Sequence, residues 1–117
     1  MIFLVEDDEA TRDSLCLLFE CEGLACRGFA SGEAFLSATP ALDHSCLILD
    51  VNMDGMDGLT LLERLRAGGA TAPAIMITGK PSPAILRRAT AAGAVAVIEK
   101  PFDSSSLIDR VRSLLRA

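Results

Sequence analysis

The chain has 117 residues, half of them hydrophobic and 23% charged, with a formal net charge of -5. That length suits one compact domain with its own core and is short for two. The acidic balance and the lack of Trp and Tyr argue against a surface that tracks nucleic-acid phosphates or stacks bases, and no run approaches the roughly 18 uninterrupted apolar residues of a membrane span.

No basic n-region precedes Ile2 and no small-residue cleavage site marks the chain for export. The expectation is one soluble, cytoplasmic domain over residues 1–117, with no direct nucleic-acid binding and no membrane association. Cys16, Cys21, Cys26 and Cys46 match neither a C-x-x-C redox motif nor a zinc pattern and are taken as buried or incidental thiols.

In chain order, strand-length apolar runs alternate five times with amphipathic segments. Residues 2–5 open as a strand, followed by a helix over 9–22 with Leu15, Leu18 and Phe19 on one face and Gly23 as its stop. A strand over 24–29 precedes a short helix over 31–38, with Ser31 as N-cap and Glu33 in its first turn. The third strand, 46–49, leads to a helix carrying Leu59, Leu62 and Leu65 and ended by Gly68-Gly69. After the fourth strand, 74–77, Ser82 and Pro83 form a cap followed by proline at the first helical position. The fifth strand, 94–98, precedes a helix with Leu107, Val111, Leu114 and Leu115 at i, i+4, i+7, i+8. Apolar strands separated by helices indicate a parallel sheet covered on both faces, an α/β doubly wound domain of (βα)5 form. In such a domain the ligand site lies beyond the carboxyl ends of the strands.

Those ends carry the chemistry. Glu6, Asp7, Asp8 and Glu9 follow strand one, where a dinucleotide-binding chain would have its glycine loop. Asp8 and Glu9 are expected in the first helical turn, complementing the helix dipole. Glu6 and Asp7 come earlier and converge with Asp50, at the end of strand three, if strands one and three are neighbours. Two such charges at 4 Å repel by on the order of 4 kcal/mol at an effective dielectric of 20. Either one acid holds a proton or a hard divalent cation such as magnesium sits among them. Thr78 and Gly79 end strand four and Lys100 ends strand five, so a hydroxyl and an ammonium join the carboxylates. Together they outline a phosphoryl-group site.

The stretches "FLVEDDEATRDSL", "LILDVNMDGMDGLTLL", "IMITGK" and "AGAVAVIEKPF" resemble a response-regulator receiver domain of bacterial two-component signalling, across the whole chain. The resemblance implies a flavodoxin-like five-stranded parallel sheet of order 2-1-3-4-5. It implies Asp50 as phosphoacceptor, taking a phosphoryl group from a histidine kinase, a phosphotransfer protein or a small acyl phosphate. Mg2+ would be held directly by Asp7, Asp50 and the backbone carbonyl of Asn52, with Glu6 acting mainly through water. Thr78 and Lys100 would each meet a phosphoryl oxygen, and Pro101 would follow a cis peptide bond, a form found in about 5% of X-Pro bonds. The implied output is a shift of the surface made by helix four, strand five and helix five, acting on an output domain or effector. Pairing of two copies through the helix four to helix five face is left open.

Departures from the family pattern are Val97 in place of an aromatic, Met53-Asp54 in place of Met-Pro, and two prolines in Lys80-Pro81-Ser82-Pro83. Asp54 would add an acid close to the metal, and activation would travel through the Thr78 loop and helix four. Lys80, His44, Arg87 and Arg88 are read as solvated, and Met53 and Met56 as packing. Two other readings remain beside the phosphoacceptor: a pseudo-receiver that binds partners without phosphorylation, and an aspartyl-phosphate enzyme. The second is disfavoured because Asn52 stands where such enzymes carry a proton-donating acid.

Overall fold

A computed structural model describes residues 1–116 of the chain. The elements are β1 (Ile2–Val5), α1 (Glu9–Cys21), β2 (Cys26–Phe29), α2 (Gly32–Ala38), β3 (Cys46–Asp50), α3 (Gly58–Ala67), β4 (Ala74–Thr78), α4 (Pro83–Ala91), β5 (Ala96–Glu99) and α5 (Ser104–Arg116). All strand pairs are parallel and the order is β2-β1-β3-β4-β5, as expected from the sequence.

Alternate side chains of each strand feed two cores. On one face Ile2, Leu4, Ile48, Ile75 and Ile77 pack with Leu15 and Phe19 of α1 and with Leu107 and Val111 of α5. On the other, Phe3, Val5, Leu47, Leu49 and Met76 meet Phe35 of α2, Leu59 and Leu62 of α3 and Ala89 of α4. Phe3, Phe29 and Phe35 form a tilted and edge-to-face trio with centroids 5.0 to 6.2 Å apart. Met53 is buried in this second core and Met56 and Val97 pack against it, so the methionines are packing residues.

β2 and β5 begin two residues later than the apolar runs suggest, for one shared reason. Gly23 and Gly93 take positive φ, and the next N–H returns to the preceding helix: Leu24 donates to Phe19 and Ala94 to Ala89. The residue after each glycine therefore belongs to the helix stop, not to the strand. Ser31 and Ser82 cap as expected, accepting from Ala34 and Ile85. Asp8 sits one place outside the helix it was expected to open: as N-cap of α1 it accepts from both the backbone N–H and the hydroxyl of Thr11.

Arg66 ties the far end together, donating to the carbonyls of Ala70, Ala72 and Ala92 at 2.8 to 3.1 Å. Arg88 is exposed yet paired, 2.7 Å from Glu63 across α3 and α4. No helix among the described residues is long and apolar enough to cross a membrane.

Candidate functional site

The chain leaves β1 toward one side and β3 toward the other, which opens a crevice between their carboxyl ends. Glu6 and Asp7 follow β1 and Asp50 is the last residue of β3. One carboxylate oxygen from each lies within 4.8 Å of the others. Glu6 and Asp50 are buried, at 3% and 4% exposure, whereas Asp7 is open to solvent.

Lys100 supplies the counter-charge. Its Nζ lies 3.1 Å from Glu6 Oε1 and 3.1 Å from Asp50 Oδ2. The Lys100–Pro101 peptide is cis. Burial pulls the ammonium's pKa down, but the Asp50 and Glu6 carboxylates outweigh it and the net shift is upward. Burial, reinforced by the hydrogen bond and charge of Asp50, pushes Glu6 up to about 7, against the opposing pull of the Asp8 N–H and Lys100.

Backbone donors complete the carboxylate shell. The Asn52 N–H donates to Asp50 Oδ1 at 3.0 Å, the Asp8 N–H to Glu6 at 3.2 Å and the Asp54 N–H to Asp7 at 3.4 Å. Asp54 therefore approaches the site through its backbone. Its carboxylate is exposed and lies outside the three-acid cluster.

Thr78 ends β4 with no exposed surface. Its hydroxyl donates to Asn52 Oδ1 at 2.8 Å and accepts from the Lys80 N–H at 3.1 Å. Asp50, Asn52, Gly79, Lys80 and Lys100 line an open cleft of about 340 Å³. Lys80 thus borders the site while remaining exposed. His44 lies at the opposite end of the sheet, in the loop before β3.

Two contacts were not foreseen from the sequence. Arg12, in the first turn of α1, reaches back to donate to the Glu6 carbonyl at 2.8 Å, fixing the turn that presents Glu6 and Asp7. The other is the Asn52 side chain, foreseen only for its backbone carbonyl and now seen to hold Thr78. Neither leaves a sequence signal, because both depend on side-chain direction.

The cluster suits a small hard cation. Six oxygens at about 2.1 Å from magnesium place neighbouring ligands roughly 3 Å apart and opposite ones about 4.2 Å. The three carboxylate oxygens, within 4.8 Å of one another, are close to that spacing.

A family model for the response regulator receiver domain matches residues 2–112. The chain belongs to this family. The receiver is 40% identical over 114 residues to the transcriptional regulatory protein FixJ of Azorhizobium caulinodans, covering 97% of this chain and 54% of that relative. It is 39% identical over 118 residues to the C4-dicarboxylate transport transcriptional regulatory protein DctR of Rhodobacter capsulatus, covering 99% and 60%. It thus spans between half and three fifths of the length of these curated relatives. Among solved structures, FixJ-N superposes with a TM-score of 0.88 at 33% identity, covering 98% of the receiver and 92% of that chain. Full-length FixJ from B. japonicum gives 0.87 at 36%, covering 98% and 57%. Receivers are signalling domains, and the flavodoxin-like strand order seen here is theirs.

Proposed function

We propose that residues 1–117 act as a phosphoacceptor receiver, in which Asp50 takes a phosphoryl group from a histidine kinase or phosphotransfer protein. The observation that carries this reading is the position of Asp50. It sits at the tip of β3 in a cluster with the Glu6 and Asp7 carboxylates, and the Lys100 ammonium lies 3.1 Å from it.

An Asp50 oxygen attacks phosphorus as the bond to the donor imidazole, or to acetate, breaks. Asp7, Asp50 and the Asn52 carbonyl would hold Mg2+, with Glu6 acting mainly through water, and the ion would supply positive charge against the phosphoryl oxygens. Lys100 exchanges part of its contact with Glu6 and Asp50 for a phosphoryl oxygen. The product adds up to about two negative charges to an acidic cleft, so Lys100 is needed for it to form.

Thr78 releases Asn52 and donates to another phosphoryl oxygen, drawing with it the Lys80 N–H and the loop leading to α4. That differential contact shifts the population of the α4, β5 and α5 surface. An output domain or effector reads this change, and the same face is where two copies would pair. The relatives' greater length is consistent with a covalently attached output domain. A cytoplasmic setting follows from the proposed donor.

Incubation with acetyl phosphate and Mg2+ should add one phosphoryl mass to the intact chain, and Asp50→Asn should remove the adduct. No adduct, under conditions that label a control receiver, would instead favour a phosphorylation-independent interaction module.

A further inference from the structure

Two cysteines meet outside the acidic cleft. Cys16 lies in the middle of α1 and Cys26 opens β2, ten positions apart, with their sulfurs 2.7 Å from each other. Ordinary heavy-atom contacts fall at about 3.5 to 4.0 Å and a disulfide at about 2.05 Å. Two thiolates sharing a zinc at about 2.3 Å each would stand roughly 3.8 Å apart, so the pair is too close for a metal bridge and close to bonding range.

The approach is set by backbone packing. Gly28, two residues beyond Cys26, faces α1: a Cβ there would meet Arg12 Cγ at 2.8 Å and Cys16 Sγ at 3.5 Å. The missing side chain lets α1 settle onto β2 and brings Cys16 over the strand. Cys21 is exposed and Cys46 is buried in the core of β3, where burial pushes its thiol up to about 11.

We propose that Cys16 and Cys26 are a thiol-oxidation site that forms a reversible disulfide between α1 and β2. The oxidant class is a low-molecular-weight disulfide. The Cys16 thiolate attacks one oxidant sulfur and expels its partner as a thiolate; the Cys26 thiolate then attacks the Cys16 sulfur of the mixed disulfide and expels the second. Two protein thiols are oxidised, one external disulfide is reduced to two thiols, and the two protons pass to those products. Burial first, and then the neighbouring Cys16 thiol, push the Cys26 thiol up, and the exchange balances in the same way whichever of the two sulfurs attacks first. Disulfides in intracellular proteins are mostly sensing or catalytic, and a half-buried pair reachable by a small oxidant fits that use.

The reduced chain, incubated with oxidised glutathione and then alkylated under denaturing conditions, should lose the Cys16 and Cys26 thiols to alkylation and keep no glutathione on either. Cleavage after Glu20 and Glu22 places Cys16, Cys21 and Cys26 in three separate fragments. A reducible cross-link should join the fragments of Cys16 and Cys26, in the native chain and in Cys21→Ser alike. Four alkylated thiols, a cross-link through Cys21, or glutathione retained on Cys16 of the native chain would each overturn the proposal. Mapping the native chain makes the result independent of how any Cys16 or Cys26 variant folds.

Discussion

The hydroxyl of Thr78 donates to the side-chain oxygen of Asn52 at 2.8 Å, joining the end of β4 to the loop after β3. In the proposed reaction this bond competes with the phosphoryl group for one proton donor. A hydrogen bond of this kind contributes about 1 kcal/mol net. Asn52→Ala removes the competitor and leaves the backbone carbonyl in place. It should tighten apparent binding of beryllofluoride, a phosphoryl mimic, by about fivefold in the presence of Mg2+, whereas Thr78→Ala should weaken it. Titration followed by NMR reads both; unchanged affinity in Asn52→Ala would remove Asn52 from the switch.

Among the described residues, Lys100 is the sole cation within 4 Å of the Glu6 and Asp50 carboxylates. Lys100→Met should abolish labelling by acetyl phosphate. It should also cost on the order of 1 kcal/mol of stability at pH 8 without metal, a modest figure because the lysine side chain is one-third open to solvent. The cost should shrink at pH 5, where Glu6 is protonated and one repulsion is gone. Urea unfolding at the two pH values separates these outcomes.

Glu6 carries a pH dependence of definite sign. Its pKa rises from 4.5 to about 7 on folding, chiefly through burial, so between those values the native state binds more protons than the unfolded chain. Stability is therefore highest below about 4.5, for this group, and falls as pH rises through 7, by on the order of 3 kcal/mol in metal-free buffer. Glu6→Gln should flatten the curve. Mg2+ competes with the proton, so its stabilising effect should be large at pH 8 and small at pH 5; thermal unfolding with and without chelator measures it.

Gly58 is the tightest backbone contact near the site, since a Cβ there would strike the carbonyl oxygen of Asp50. That contact is backbone against backbone and cannot be relieved by a rotamer change. Gly58→Ala should destabilise the chain by roughly 1 to 3 kcal/mol and displace the phosphoacceptor. A urea midpoint equal to that of the native chain would contradict the close packing of α3 on β3.

The alternation of strands and helices, the Ser31 and Ser82 caps and the identity of the residues at the strand ends are legible in the amino-acid sequence. These are local matters: hydrophobic period, capping and glycine stops act within a few residues of one another. Because strand direction in a parallel sheet places all carboxyl ends on one edge, Glu6, Asp7, Asp50, Thr78 and Lys100 could be grouped from position alone. How side chains from different elements meet depends instead on the packing of those elements against one another. The Asp54 N–H donates to Asp7, Arg12 turns back onto Glu6, and Asn52 holds Thr78 across 26 residues. The Cys16–Cys26 contact belongs with these, since it depends on how closely α1 can lie on β2, and that is set by the bare backbone of Gly28. Such contacts follow from helix docking and rotamer direction, which pairwise spacing along the chain does not encode.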